Sequence, residues 1–415
     1  MALVKMNSEP VQWRDDFPVF QQKMNGEPLV YLDTASSAQK PRTVIDAMTG
    51  VMEGHYANIH RGLYEFSQET TASFEAVRGK VKAFINASSE NEIVYTRNTT
   101  EAINLVAQSW GRQNLTADDE IILTQLEHHA NIVPWQLLQA EIGFRINVVP
   151  ITDGGTLDLK AFEVFLGPKV KFMGVVHISN ALGVKNPVAE MIAQARKACP
   201  EIRTLVDGSQ SVVHGAIDVQ ALDCDFFTFT GHKLYGPSGV GVLYGREVLL
   251  NTMPPYQGGG DMIETVSFEK GTTFKDAPAR FEAGTPAIVD VIGLGAAIGY
   301  VSSIGVEALT AHEAELLSYA TQKLRSIDGV VIYADIEEKA AVLSFNLEGA
   351  HSSDVGMILD QCGVAVRTGH HCAMPLMEAL GVESTIRASF GLYNNKDDCD
   401  RLYEALIKAK KMLRV

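Results

Sequence analysis

Short apolar, β-branched runs alternate with amphipathic stretches through the middle of the chain. Runs at residues 120–124, 170–179, 203–206, 226–230 and 240–244 predict buried strands. A strand covered on both faces loses the in–out alternation of a half-exposed sheet. Between the runs lie helical patterns, such as Ile103, Val106, Ala107 and Trp110 at spacings 0, 3, 4 and 7. Strands alternating with helices predict an α/β fold, a mostly parallel sheet with helices on both faces. Such a sheet places ligands at the carboxyl ends of its strands.

After about residue 290 the pattern changes. A long helix is expected through Leu309, Leu317, Ala320, Leu324 and Ile327, then short strands near 341–347, 364–367 and 385–390. The last helix carries Leu402, Ala405, Leu406, Ala409 and Leu413 on one face. Asp397 and Asp398 near its start, and Lys408, Lys410 and Lys411 near its end, complement the helix dipole. No repeat and no Pro- or Ser-rich linker separates these parts. The expected division is an N-terminal segment (1–27) packing with the small domain, a large domain (28–297) and a smaller α+β domain (298–415).

The 415 residues are 46% hydrophobic and 20% charged, a composition that buries a large core and argues against disorder. A net charge of −15 argues against broad nucleic-acid or anionic-membrane binding, while leaving room for a local basic pocket. No run of 18 apolar residues occurs, and the first 17 residues lack the apolar core of a secretory signal. Five cysteines (199, 224, 362, 372, 399) are odd in number and form no CxxC pair. They read as reduced thiols, and the expected location is cytoplasmic.

Several segments carry candidate chemistry, each with a plainer alternative. YTRNTTEAINLVAQSW turns through Asn98, Thr99 and Thr100 into a helix, as a phosphate site at a helix N-terminus would, or as an ordinary cap by Thr99 or Thr100 with Glu101 in the first turn. In LVDGSQ, Asp207 follows a buried strand; it can pair with a protonated ring nitrogen, with Gln210 beside a ring hydroxyl, or simply close a turn. In FFTFTGHKLYGPSGVGVLYG, Lys233 stands at a strand end between Thr230, His232 and a Gly/Pro turn. A partly desolvated lysine there has a lowered pKa and can form a Schiff base; a solvated surface charge is the usual alternative. RTGHHCAMPLM holds His370, His371 and Cys372: a zinc site, a reactive thiolate favoured by His371 and Arg367, or a buried structural thiol. In LEHHANIVPW, one imidazole of His128 and His129 can stack on a planar cofactor and move protons, or both can sit as satisfied polar residues.

Taken in order, TRNTTE, LEHHANIVPW, HISNALG, VDGSQ, TGHKLYGP, FEAGTP and RTGHHCAMPLM resemble the SufS-type (group II) cysteine desulfurases. The likeness runs from YLDTASSAQKP at residue 31 to RASFGLYN at 387, and the short cysteine loop is of the group II kind. It implies a homodimer of the aspartate-aminotransferase-like fold type I with pyridoxal 5'-phosphate (PLP) as cofactor. By the same resemblance Lys233 is the Schiff-base lysine, Asp207 the partner of the ring nitrogen, Gln210 the neighbour of the ring hydroxyl and His128 the stacked histidine. Thr99, Thr100, Thr230 and His232 match phosphate-binding positions, and Thr285 the one supplied by the other subunit. Arg387, Asn180, Arg367 and His60 fall to the substrate, and Cys372 to the persulfide. No metal is implied. The implied reaction turns L-cysteine into alanine and protein-bound sulfur for iron–sulfur cluster assembly, with a SufE-like acceptor. Segment 258–273 resembles the hairpin that reaches across the dimer. Selenocysteine lyase on the same scaffold and, from another class, a zinc-binding interaction protein are the rival readings. Asn98, Ser209, Thr230 and Ala287 depart from the usual wording, the first where glycine is common and a left-handed turn is expected.

Overall fold

The computed structural model describes residues 13–415, so the first 12 residues of the expected N-terminal segment lie outside the described part. Seven strands form the main sheet: β1 (Ile93–Thr96), β2 (Glu120–Thr124), β3 (Arg145–Val149), β4 (Val170–Val176), β5 (Arg203–Asp207), β6 (Phe226–Thr230) and β7 (Gly241–Gly245). Their order is β1-β7-β6-β5-β4-β2-β3. Five neighbouring strands run parallel, and only β7 is antiparallel to its neighbours β6 and β1. Every residue of β6 (FFTFT) and six of the seven in β4 (VKFMGVV) are buried, which is why these strands read as unbroken apolar runs. Chain order reverses between β2 and β4, because β3 lies on one side of β2 while β4, β5 and β6 follow in turn on the other, and a crevice opens there at the strand ends.

Downstream, an exposed hairpin joins β8 (Ile263–Ser267) to β9 (Gly271–Phe274). A second antiparallel sheet contains β10 (Val330–Tyr333), β11 (Val342–Leu347), β12 (Arg367–Gly369) and β13 (Thr385–Ser389) in the order β10-β11-β13-β12. It has its own apolar core, with Leu316, Leu343, Phe345, Ile386 and Leu402 among its buried side chains. The C-terminal helix, Lys396–Leu413, packs its apolar stripe there and is capped by Asn395 and Asp398 in a reciprocal box. Near the N-terminus, Val30–Tyr31 pairs with Val364–Ala365, and Asp33 bridges to Ser389, so the chain start runs beside β13. No single helix among the described residues is long and apolar enough to cross a membrane.

Candidate active site

A pocket of about 220 Å³ lies at the carboxyl ends of β4, β5 and β6, closed on its far side by β12 and β13. Sheet register sets its floor: Val176 stands opposite Asp207, and Asp207 opposite Thr228. Asp207 ends β5 with one carboxylate oxygen accepting the Ser209 N–H at 2.9 Å. Gly208 makes that turn possible, because a Cβ there would fall 1.9 Å from the Phe227 ring. Thr230 ends β6, and a single 3-10 turn then brings His232 and Lys233 to the wall.

Desolvation brings the Lys233 amine down to about 8, against the opposing pull of Asp207. Burial, with Lys233 adding to it, holds His128 down to about 3, so the imidazole is neutral. His128 Nδ1 accepts the Ala130 N–H at 3.0 Å, which leaves the proton on Nε2. The turn carrying His128 is fastened by Glu127, a fully buried carboxylate. Glu127 accepts from Thr124 Oγ1 at 2.7 Å, Asn131 Nδ2 at 2.8 Å and the Val176 N–H at 2.9 Å. Even against these donors, burial pushes its carboxyl up to about 8.

The helix Thr99–Val106 points its N-terminus at the same pocket. The cap is Asn98, not Thr99 or Thr100: its Oδ1 accepts the Glu101 N–H at 2.9 Å, a bond worth about 1 kcal/mol. Nor is Asn98 left-handed; at φ −174° it is extended backbone that any residue adopts. With Glu101 and Ala102 N–H groups satisfied by Asn98, the amides of Thr99 and Thr100 stay free at the positive end of the helix dipole.

On the opposite wall, Arg367 and Arg387 are direct cross-strand partners on β12 and β13. Like charges so placed repel, and the chain start offsets this. Asp33 Oδ1 accepts from Arg387 Nη2 at 3.0 Å, and Ser36 Oγ takes Arg387 Nη2 at 2.6 Å and Arg367 Nη1 at 2.8 Å. Arg387 Nη1 donates to the Asn180 carbonyl at 2.8 Å. Two guanidiniums against one carboxylate leave excess positive charge. Arg387 Nε and Asn180 Oδ1 are both buried without a partner, as in a site that awaits a carboxylate and an ammonium. The sequence motif YLDTASSAQKP contained Asp33 and Ser36, but nothing local marked them as partners of residues some 350 positions away.

Cys372 lies beside the pocket in a half-buried loop, its Sγ 3.6 Å from Arg367 Nη2. His371 and Cys372 are both left-handed, at φ 51° and 55°, which costs about 1–2 kcal/mol per residue. The expectation that His371 lends charge to the thiol is corrected. Its Nε2 faces Thr385 Oγ1 at 2.8 Å, and burial holds the ring down to about 3, so it is neutral. Charge at contact distance comes instead from Arg367. His370 Nδ1 accepts the Cys372 N–H at 3.2 Å, and no cluster of three potential metal ligands occurs among the described residues. His370 and His371 each use one ring nitrogen in a hydrogen bond within the protein.

Two expected residues do not join this pocket. Thr285 lines a separate cavity of about 260 Å³ with Arg97, Glu101 and Gln257. His60 is exposed, with Nε2 2.7 Å from Glu75 Oε1. Asp207, Gln210, His128, Thr99, Thr100, Thr230, His232, Lys233, Asn180, Arg367 and Arg387 all meet at the one pocket.

A sequence model of the aminotransferase class-V family matches residues 30–402. The chain is 50% identical over 400 residues to a cysteine desulfurase of Dickeya dadantii, covering 96% of each chain. It is 50% identical over 408 residues to a cysteine desulfurase of Yersinia pestis, covering 98% of this chain and all of that one. Among solved structures, the cysteine desulfurase CsdA of Escherichia coli superposes with a TM-score of 0.90 at 38% identity, over 97% of this chain and 99% of that one. An apo cysteine desulfurase of Thermococcus onnurineus gives 0.91 at 36% identity, over 99% and 100%. C-DES, in a variant with glycine covalently linked to its PLP cofactor, shares the fold at a TM-score of 0.81, 23% identity and coverages of 95% and 98%.

Proposed function

This chain belongs to the aminotransferase class-V family, and we propose that its pocket desulfurates L-cysteine to alanine by passing the sulfur to Cys372. The observation that carries this reading is the meeting of Lys233, Asp207 and paired arginines at one pocket, with Cys372 beside it. The enzyme is PLP-dependent, and the residues present fit that group. The free Thr99 and Thr100 amides, with the Thr100 and Thr230 hydroxyls and His232, would hold the phosphate. The second Asp207 oxygen, which has no protein donor, would hold the ring nitrogen. Gln210 would sit near the ring hydroxyl while its Nε2 stays on the Ala35 carbonyl at 2.8 Å. His128 would cover the ring, and Lys233 would bind the aldehyde carbon. When bound, PLP supplies a sink for the electron pair left by the departing α-proton.

The chain's own residues do the rest. Arg387 holds the substrate carboxylate, with Arg367 beside it, and the free Asn180 Oδ1 accepts from the substrate nitrogen. Lys233, with its lowered pKa, removes the α-proton. His128 offers its Nε2 proton over the pocket. The Cys372 thiolate attacks the substrate sulfur: a sulfur–sulfur bond forms, the carbon–sulfur bond breaks, and a proton replaces sulfur on the β-carbon. One thiol and one cysteine thus become one persulfide and one alanine.

Within the family the short cysteine loop and the exposed hairpin support a SufS-type enzyme serving iron–sulfur cluster assembly, with a SufE-like acceptor and a cytoplasmic setting. Thr285 and His60 lie outside their own pocket, which favours a homodimer in which Thr285 of one protomer completes the phosphate site of its partner. In this reading residues 28–297 bind the cofactor, 298–415 carry the cysteine loop, and 13–27, the described part of the N-terminal segment, pack with the latter. Arg14, donating to the Tyr393 carbonyl at 2.7 Å and to Asp398 at 2.9 Å, supports the last point.

The test is purified protein with L-cysteine: one alanine per persulfide on Cys372 in the first turnover, and a yellow cofactor absorbance. Alanine without persulfide on that residue would sink the reading. Asp207→Ala is expected to keep the phosphate contacts and lower kcat by on the order of 100-fold or more, as for loss of a preorganised electrostatic partner. Cofactor content and kcat measured together check it; wild-type values of both would reduce Asp207 to a turn residue.

A further inference from the structure

His129 grips the cysteine loop at two points. Its backbone N–H donates to the Cys372 carbonyl at 2.8 Å. Its Nε2 accepts the Met374 N–H at 3.0 Å. An imidazole nitrogen that accepts carries no proton, so the neutral ring holds its hydrogen on Nδ1. Its ring centroid lies 5.6 Å from that of His370, whose own Nδ1 takes the Cys372 amide. The Cys372 carbonyl and the Met374 amide lie at the second of the two left-handed positions and just after it, and such a conformation persists only where surrounding contacts fix it. Asn180 Nδ2, on the His371 carbonyl at 2.8 Å, is the other tie from the large sheet. His129 follows His128 directly, so one turn after β2 sets both the ring that faces the pocket and the loop that carries the thiol. The His129 side chain itself is not part of the pocket wall.

We propose that His129 is a positioning residue for Cys372: its Nε2 latches the Met374 amide and so holds the thiol where it meets the substrate sulfur. This rests on the reading of Cys372 as the sulfur-accepting thiol. A displacement of about 1 Å in a reacting atom costs on the order of 100-fold in rate, so a single latch bond matters out of proportion to its strength. The imidazole is half-buried at the surface, and its truncation leaves the core untouched.

In the PLP-loaded enzyme, His129→Ala is expected to lower kcat for alanine formation roughly 10- to 100-fold with KM for L-cysteine nearly unchanged, because Arg387 still holds the carboxylate. Hydrogen–deuterium exchange of peptide 367–377 should speed up, with the rest of the chain unaffected. His129→Gln, whose amide oxygen can accept from Met374, should restore both kcat and protection; it also keeps the test open should the alanine variant fold poorly. Unchanged exchange and kcat in His129→Ala would overturn the proposal. So would a glutamine variant as defective as alanine, or a rise in KM at constant kcat. Exchange needs no turnover, so a failed latch appears there, whereas a failed reading of Cys372 appears as alanine made by Cys372→Ala.

Discussion

Lys233→Ala is expected to abolish alanine production from L-cysteine, by about 10⁴-fold or more, while leaving the fold intact. The lysine occupies the wall of the pocket rather than the core, so truncation opens space without exposing apolar side chains. Its phosphate and ring contacts to other residues survive, so PLP should still bind, non-covalently. The step lost is removal of the α-proton. In heavy water the wild type should exchange the α-hydrogen of L-cysteine for deuterium, and Lys233→Ala should not; mass spectrometry of recovered substrate reads this directly. Exchange at the wild-type rate without added amines would assign the base elsewhere. The same amine explains an expected pH dependence. Burial lowers it from the ordinary 10.5 to about 8, so in PLP-free protein it is protonated below that pH and nucleophilic above. The rate at which PLP-free protein recaptures the cofactor should rise with pH and level off past about 8, whereas a solvated lysine would keep rising through 10.

Much of this machinery was legible in the sequence for one physical reason. A parallel sheet buried on both faces writes its strands as apolar runs, and the residue after each run is where ligands meet the sheet. Asp207, Thr230 and Lys233 follow from that rule. The edge strand β3 escaped it, since Arg145 and Val148 face solvent and break the run. The helix Ile288–Ile304 escaped as well: apolar on all sides and carrying three glycines, it has no amphipathic period to read. Residue type also misled at two places. Asn98 was expected to serve a left-handed turn, yet it is extended and caps a helix. His371 was expected to charge the thiol, yet burial keeps it neutral against Thr385. The Asp33–Ser36–Arg387 and His129–Met374 contacts had no local signal, because each joins segments hundreds of residues apart.

Cys372→Ala separates sulfur transfer from everything else the pocket does. The variant keeps Lys233, Asp207, Arg387 and Asn180, none of which uses the thiol as a hydrogen-bond partner; only Arg367 Nη2 touches Sγ, at 3.6 Å. The loop should hold its shape, since its ties run through the Cys372 backbone and through His129, Asn180 and His371 side chains. L-cysteine should therefore bind with near-normal affinity and exchange its α-hydrogen in heavy water at close to the wild-type rate. Alanine release should fall by roughly 10⁴-fold or more, the scale of losing a nucleophile, because nothing remains to attack the substrate sulfur. A buried structural thiol makes the opposite prediction: loss of one sulfur atom from a half-buried loop would leave turnover nearly intact. L-selenocysteine needs separate measurement, since its weaker carbon–selenium bond can break without the thiol's help. Cysteine decides the matter. Appreciable alanine from it in the absence of Cys372, with α-hydrogen exchange intact, would remove the persulfide from the mechanism and leave Lys233 and Asp207 to a different elimination.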